Sequence, residues 1–169
     1  KISLLDALPE DGAAVLPGDQ LEICLEARNR IQMETRVVTF GTTDRCDIQA
    51  LDTQRSVEGM LMRLRDHQAQ WMVPLVGYHN VENALAAVAC VWAAGVPLSV
   101  ARERIATFEP VPMRSQVVRC NGLTMLHDCY NANPLSFARA LEALQDLPVR
   151  RRVVIAGDML ELGDYSPSA

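Results

Sequence analysis

The apolar positions between residues 81 and 94 recur every three or four residues, which is the spacing of one helical face. This pattern predicts a helix that begins after Asn80, a residue type that suits the N-cap, and ends before Gly95. Pro97 prevents the helix from continuing. A second, shorter helix is predicted over residues 98–108. The first periodicity is defined by Val81, Ala84, Leu85, Val88, Val91 and Trp92.

Short apolar runs separated by turn residues predict a β-rich first third. Pro17-Gly18-Asp19 is a turn signal, because proline presets φ and glycine accepts a positive φ. Gly41 ends another apolar run. The expected strands cover residues 13–16, 21–25, 35–40, 57–64 and 70–76, and the last two are expected to form an antiparallel pair in the same sheet.

The best candidate for a domain boundary is Pro110-Val111-Pro112, because two prolines resist both helix and sheet pairing. It divides the chain into residues 1–110 and 111–169.

After this boundary the pattern predicts a hairpin, a helix and a further strand. The hairpin, 116–120 with 123–128, turns at Asn121-Gly122, a strong type I′ signal. Asn133 is expected to cap the helix, with Pro134 at its first position. A buried strand over 153–156, preceded by a solvated basic run, would complete a right-handed βαβ unit.

Polar residues follow two of these apolar runs, at 126–134 and 153–163. In an open α/β sheet, ligands bind in the crevice outside the carboxyl ends of the strands. Both clusters are therefore expected to lie at a binding edge. Their candidate residues are Asp128, Tyr130, Asn131, Asn133, Asp158 and Glu161.

Composition and charge narrow the class of protein. A net charge of −5 argues against a nucleic-acid partner or an anionic membrane surface. Five cysteines without a Cys-x-x-Cys pair favour reduced thiols in a cytoplasmic protein. The longest apolar stretch, residues 84–96, is shorter than the about 20 residues of a membrane span. We therefore expect a cytoplasmic protein without a membrane span.

Three motifs in the same order resemble the Mur ligases, the ATP-dependent amide ligases of peptidoglycan precursor synthesis. They run from Gly77 to Ala87 (GYHNVENALAA), from Asp128 to Pro134 (DCYNANP) and from Gly157 to Gly163 (GDMLELG). The resemblance implies an α/β fold in which residues 1–110 are the second half of the central ATPase domain. Residues 111–169 would open a Rossmann-like C-terminal domain.

The second and third motifs resemble the family member that adds D-alanyl-D-alanine to UDP-N-acetylmuramoyl-tripeptide. The implied reaction uses ATP and Mg²⁺ and passes through an acyl phosphate. Family members carry a phosphate-binding G-x-x-G-K-[ST] loop, which this sequence lacks. The resemblance therefore implies that the chain works with the remainder of its own ligase and is inactive alone.

The resemblance also implies roles for individual residues. Asn80 and Asn83 would face the nucleotide, although helix capping alone also explains Asn80. Arg114 would reach the phosphates, and Asp128 would hold the ribose. The candidates for substrate contact are His79, Tyr130, Asn131, Asn133, Asp158 and Glu161, with Asn133-Pro134 explained equally well as a helix start. No metal ligand and no catalytic residue is assigned.

Two other functions fit the same residues. One is a different ligase of this superfamily, such as another Mur ligase or a polyglutamate-type ligase. The other is a non-catalytic, stand-alone nucleotide-binding module on the same scaffold.

Overall fold

The computed structural model describes residues 2–56, 58–160 and 162–163. A five-stranded sheet in the order β1-β2-β3-β4-β5 forms the centre of the first half. The β1-β2 and β2-β3 pairs are parallel, whereas β3-β4 and β4-β5 are antiparallel. A 3-10 helix, Ile2–Ala7, precedes the sheet. The strands are β1 (Ala13–Pro17), β2 (Arg36–Gly41), β3 (Ile48–Ser56), β4 (Gly59–Leu64) and β5 (Gln70–Val73).

The predicted strand over residues 21–25 is wrong, because this segment belongs to helix α1 (Leu21–Arg28). Strands β1 and β2 on either side of it are parallel, from Ala13↔Arg36 to Pro17↔Phe40. Parallel neighbours cannot be joined by a tight turn and need a crossover, which is usually a helix. The connection between β1 and β2 is such a crossover, and its helix α1 overrides the local β-propensity of residues 21–25.

The antiparallel pair predicted for 57–64 and 70–76 is confirmed as β4 and β5, with β5 ending earlier, at Val73. The sequence pattern predicts no element over residues 48–56, yet these form the central strand β3. Its inward positions include Ile48 and Ala50, while most of its C-terminal half faces solvent. Only the first third of the strand therefore carries a strong apolar signal.

The long helix is confirmed as α2 (Tyr78–Ala93), but it begins earlier than predicted. Gly77 is its N-cap and Asn80 lies in the first turn, so the prediction of Asn80 as the cap is wrong. Gly95, with φ +83°, follows the C-cap as expected. Helix α3 (Leu98–Ala106) confirms the second predicted helix. The core between α2 and the sheet includes Val38, Met62, Trp71, Val81, Leu85 and Val88.

The second half begins with the predicted hairpin, β6 (Gln116–Cys120) and β7 (Leu123–His127). Asn121 and Gly122 have φ +50° and +77°, the two positive values that a type I′ turn requires. Helix α4 (Pro134–Asp146) follows, and Asn133 caps it as predicted. The Asn133 side chain accepts from the Ser136 N–H, and the Ser136 hydroxyl accepts from the Asn133 N–H, so the cap is reciprocal.

The predicted strand over residues 153–156 is wrong, and with it the βαβ unit. The segment is irregular and exposed, with Ile155 98% accessible. A strand needs a neighbour for its backbone hydrogen bonds, and within the described residues β7 pairs only with β6. The preceding basic run is not merely solvated, because Arg152 donates to the carbonyls of Leu144, Gln145 and Leu147 at the end of α4.

Candidate functional site

The segment before β6 is joined to the segment after β7 by two hydrogen bonds. The Ser115 N–H donates to Asp128 Oδ1 at 2.8 Å, and the Tyr130 N–H donates to the Met113 carbonyl at 3.2 Å. Met113 and Ser115 both have a positive φ, +64° and +48°. A positive φ is uncommon for residues other than glycine, and the residues that adopt it cluster at functional sites. The two segments that flank the β6–β7 hairpin thus form one compact surface.

On this surface the Arg114 guanidinium lies over the Tyr130 ring, with Cζ 4.1 Å from the ring centroid. Both side chains are exposed. A cation over an aromatic face gains electrostatic attraction from the ring and loses rotamer freedom. Arg114 is therefore held in place while its N–H donors remain accessible for an anionic ligand.

The first two turns of α2 carry a chain of three polar side chains, those of His79, Asn80 and Asn83. Asn80 is buried, and its Nδ2 donates to the Val76 carbonyl at 2.7 Å. The same nitrogen lies 3.1 Å from His79 Nε2. Asn83 Nδ2 donates to Asn80 Oδ1 at 3.2 Å, and Asn83 itself is exposed. A buried residue thus links a histidine on one side to an accessible amide on the other.

His79 lies where the two halves of the molecule meet. Burial lowers the pKa of its imidazole, and nearby Arg139 lowers it further, whereas Asp128, Glu82 and Glu142 act in the opposite direction. Its ring also packs tightly against Gly77, so that a Cβ at residue 77 would lie 2.7 Å from His79 Cε1 and 3.0 Å from Ala143 Cβ. The Asn80–Asn83 turn and the Asp128 segment are therefore neighbours across this junction.

The junction also contains a cavity and an ion pair. The cavity, of about 520 Å³, is lined from the first half by Met60 and Val76 and from the second by Val117 and Leu147. Arg55 and Asp146, also in its lining, approach to 2.8 Å. Arg55 is mostly exposed, so this pair contributes at most about 1 kcal/mol.

A groove of about 240 Å³ lies beside Asn83 and was not expected from the sequence. One wall is the exposed face of α2, with Glu82 and Asn83, and the other is formed by Asp19 and Phe40–Thr42. Asp19 holds this second wall in shape. Its carboxylate accepts four hydrogen bonds of 2.7–3.0 Å, from the N–H and hydroxyl groups of Thr42 and Thr43. The turn at residues 17–19 was a visible signal, but its partners Thr42 and Thr43 were not.

We expect Asp19→Asn to destabilise the protein by about 1 kcal/mol at neutral pH, because an amide replaces a carboxylate that only accepts. Burial alone would raise the pKa of Asp19, but the four hydrogen bonds outweigh it and lower the pKa from 3.8 to about 2. The stabilisation is therefore present above about pH 4 and is lost as the pH falls towards 2. Urea unfolding between pH 2 and 7 measures both effects.

The control for this experiment is Asp66→Asn, because the Asp66 side chain is 92% exposed and its ion pair with Arg65 Nε is long, at 3.8 Å. This substitution should have little effect on stability at neutral pH. Equal unfolding curves for Asp19→Asn and the wild type would contradict the role given to the four hydrogen bonds.

The remaining predicted site residues are not brought into this cluster by any described contact. Asn131 is exposed and its Oδ1 accepts from the Ala132 N–H, while Asn133 is used as the helix cap. Asp158 is exposed in irregular backbone, and Glu161 lies outside the described residues. His127 and Cys129, which flank Asp128, approach each other to 3.1 Å. Among the described residues, no three His, Cys, Asp or Glu side chains are placed to hold a metal ion.

Two family models account for most of the chain. Residues 1–91 match the Mur ligase middle domain, and residues 113–169 match the glutamate ligase domain of Mur ligases. The chain belongs to the Mur ligase family.

Two of its relatives within that family carry the same name. The chain is 30% identical to UDP-N-acetylmuramoyl-tripeptide--D-alanyl-D-alanine ligase of Bacillus subtilis (strain 168) over 166 residues. The aligned region covers 97% of this chain and 35% of the relative. Identity to the ligase of the same name from Treponema pallidum (strain Nichols) is 43% over 129 residues, 76% of this chain and 27% of the relative.

The fold agrees with that of a solved structure of the same family. The crystal structure of MurF from Acinetobacter baumannii matches 99% of this chain and 36% of its own, with a TM-score of 0.81 and 25% identity. Nearly the whole of this chain is aligned in both comparisons, yet it spans only about a third of the length of either relative.

Proposed function

We propose that this chain is part of an ATP-dependent ligase that adds D-alanyl-D-alanine to UDP-N-acetylmuramoyl-tripeptide in peptidoglycan precursor synthesis. The observation that carries the proposal is the junction at His79. Asp128 in one half acts electrostatically on His79 in the other, which precedes Asn80 and Asn83, and Asp128 is hydrogen-bonded to the segment that bears Arg114. The names of the relatives support the choice of substrates.

The side chains at this junction suit a nucleotide. The amide of Asn83 is exposed beside a groove and can pair with the edge of a base. The guanidinium of Arg114 offers parallel N–H donors that match two phosphate oxygens. A carboxylate such as Asp128 accepts hydrogen bonds from ribose hydroxyls. We therefore assign the base to Asn83, the ribose to Asp128 and the phosphates to Arg114.

Mg²⁺ would neutralise charge on the phosphates during transfer. The described residues offer it no cluster of three acidic, histidine or cysteine ligands. We therefore assign no magnesium ligand to the described residues of this chain. ATP would phosphorylate a terminal carboxylate of the UDP-linked peptide and leave as ADP, and the amine of D-alanyl-D-alanine would then attack the acyl carbon and displace inorganic phosphate.

The proposal is tested with the longer ligase that contains residues 1–169, purified and given UDP-N-acetylmuramoyl-tripeptide, ATP and a panel of acceptors. We expect phosphate release that depends on D-alanyl-D-alanine. Release with L-alanine or glutamate instead would assign the chain to another ligase of the superfamily. Nucleotide binding without release for any acceptor would favour a non-catalytic module.

We expect Asp128→Ala to raise the Kd for ATP roughly 10- to 100-fold, because hydrogen bonds to a charged group contribute about 1.5–3 kcal/mol. Asp128→Asn keeps an oxygen that can accept from the Ser115 N–H and should retain the local fold. The measurement is titration calorimetry with ATP and 2′-deoxy-ATP. If Asp128 holds the ribose, the wild type should bind ATP more tightly than the deoxy analogue, and Asp128→Ala should bind both equally.

We also propose a cytoplasmic location. All five cysteines are free thiols, which fits a reducing compartment. None of the helices in the described residues combines the length and apolarity that a membrane crossing needs.

A further inference from the structure

The backbone determines how the buried amide of Asn80 is oriented. The Val76 carbonyl can only accept, and it lies 2.7 Å from the Asn80 side chain, so the atom that faces it must be the Nδ2 donor. The carbonyl oxygen Oδ1 then faces Asn83 and accepts from it. One fixed backbone group thereby sets the direction of the first two hydrogen bonds.

The orientation of Asn80 determines the protonation state of His79. The second N–H of Asn80 Nδ2 faces His79 Nε2 at 3.1 Å, so Nε2 has to accept and must carry a lone pair. The imidazole is therefore neutral and carries its proton on Nδ1. Burial lowers the pKa of His79, which favours this neutral form at pH 7.

The same network fixes which end of the Asn83 amide faces Asn80. Its Nδ2 uses one N–H on Asn80 Oδ1, so the amide is held against rotation. The Asn83 oxygen and its second N–H remain for a ligand at the groove. A free asparagine can rotate its amide to suit either order of donor and acceptor on a base edge, but an amide held at one end cannot.

We propose that neutral His79 is a positioning residue: together with the Val76 carbonyl it holds Asn80, which holds the amide of Asn83, and the site thereby selects a 6-amino purine over a 6-oxo purine. Adenine presents an amino donor beside a ring-nitrogen acceptor. Hypoxanthine presents a carbonyl acceptor beside an N–H donor, which is the reverse order. The inference rests on the proposed function, since it requires a base at Asn83.

Protonation of His79 would reverse its effect. The Nε2–H of an imidazolium would face the N–H of Asn80 Nδ2, and this contact between two donors would remove one of the two partners that hold Asn80. The charged groups around His79 are Glu82 on α2, Arg139 and Glu142 on α4, and Asp128 after β7. The three carboxylates favour the charged form and Arg139 opposes it. Base selection should therefore be stable near pH 7 and weaken as the pH falls below the lowered pKa of His79.

The test compares KM for ATP with KM for inosine triphosphate in the full-length ligase, from pH 5 to 8. For the wild type we expect a preference for ATP at pH 7 that declines at acid pH. In His79→Leu, which has no acceptor for Asn80, the preference should shrink roughly threefold to tenfold, the value of one hydrogen bond. His79→Gln can accept through Oε1 and does not titrate, so it should recover much of the preference and lose the acid decline.

The matched control is His67→Gln, because it makes the same exchange at a histidine that contacts Trp71 rather than the α2 turn. Its preference and pH profile should follow the wild type. If His79→Leu does not fold, the pH profile of His79→Gln decides. A ¹⁵N spectrum that shows a protonated Nε2 on His79 at pH 7 would overturn the inference.

Asn83→Ala separates this inference from the proposed function. If it abolishes the preference while His79→Leu leaves it intact, the base lies at Asn83 but His79 does not position it, and the inference fails alone. If Asn83→Ala changes neither KM, the base does not lie at Asn83 and the nucleotide assignment fails as well. Loss of the preference in both variants supports both.

Discussion

Replacement of Arg114 by alanine is expected to lower kcat/KM for ATP in the full-length ligase roughly 10²- to 10³-fold, the effect of removing one preorganised donor from a developing charge. The structure gives this residue two features that such a role requires. Its guanidinium is exposed, and it is held 4.1 Å above the Tyr130 ring. Its backbone lies between Met113 and Ser115, which are hydrogen-bonded to the Asp128–Tyr130 segment.

Arg114→Lys keeps the charge but loses the planar pair of donors, so it should recover only part of the activity. Tyr130→Phe retains the ring and should be close to the wild type, whereas Tyr130→Ala removes the support and should raise KM for ATP. Steady-state kinetics with saturating acceptor measure these effects. Unchanged kinetics in Arg114→Ala would remove Arg114 from the nucleotide site.

Replacement of Gly59 by alanine is expected to destabilise the protein by about 4 kcal/mol or more, in the exceptional range for a single substitution. Gly59 has φ +149° at the start of β4. A Cβ there would lie against the Val73 carbonyl oxygen, 2.8 Å from Leu75 N and 2.9 Å from Pro74 Cα. These are backbone atoms at the end of β5, so the clash cannot be relieved by turning a side chain.

Gly95→Ala is the matched control, because Gly95 also has a positive φ, +83°, but a Cβ there meets nothing within 4 Å. It should cost about 1–2 kcal/mol, the value of the backbone conformation alone. The two urea midpoints therefore separate the cost of the clash from that of the positive φ. Similar midpoints for the two variants would show that β4 and β5 can move apart at little cost.

The sequence pattern predicted an element correctly where the interactions that form it join residues close together in the chain. The turn at Asn121-Gly122 and the cap at Asn133 follow from side-chain and backbone preferences over two to four residues, and both are confirmed. The periodicity of α2 also predicted the helix, because its buried face repeats over four turns. Its start was misplaced because asparagine suits an N-cap, whereas here Gly77 is the cap and Asn80 is required in the first turn.

Non-local pairing explains the errors. Residues 21–25 are helical because β1 and β2 are parallel, which their own sequence does not specify. Residues 153–156 have the composition of a strand but no neighbouring strand among the described residues. Strand β3 was missed although it lies in the centre of the sheet, because about half of its side chains face solvent and leave little apolar pattern in the sequence.

By itself the sequence determined the family, through three motifs in order, and it identified Asn80, Asn83, Arg114 and Asp128 as candidates. Only the tertiary structure brought Asp128 to His79, placed Arg114 over Tyr130 and joined Asp19 to Thr42 and Thr43. These interactions join residues that lie from about 15 to 50 positions apart along the chain. Their hydrogen bonds and ring contacts depend on sheet order and on the packing of one half against the other, which no local pattern of residues records.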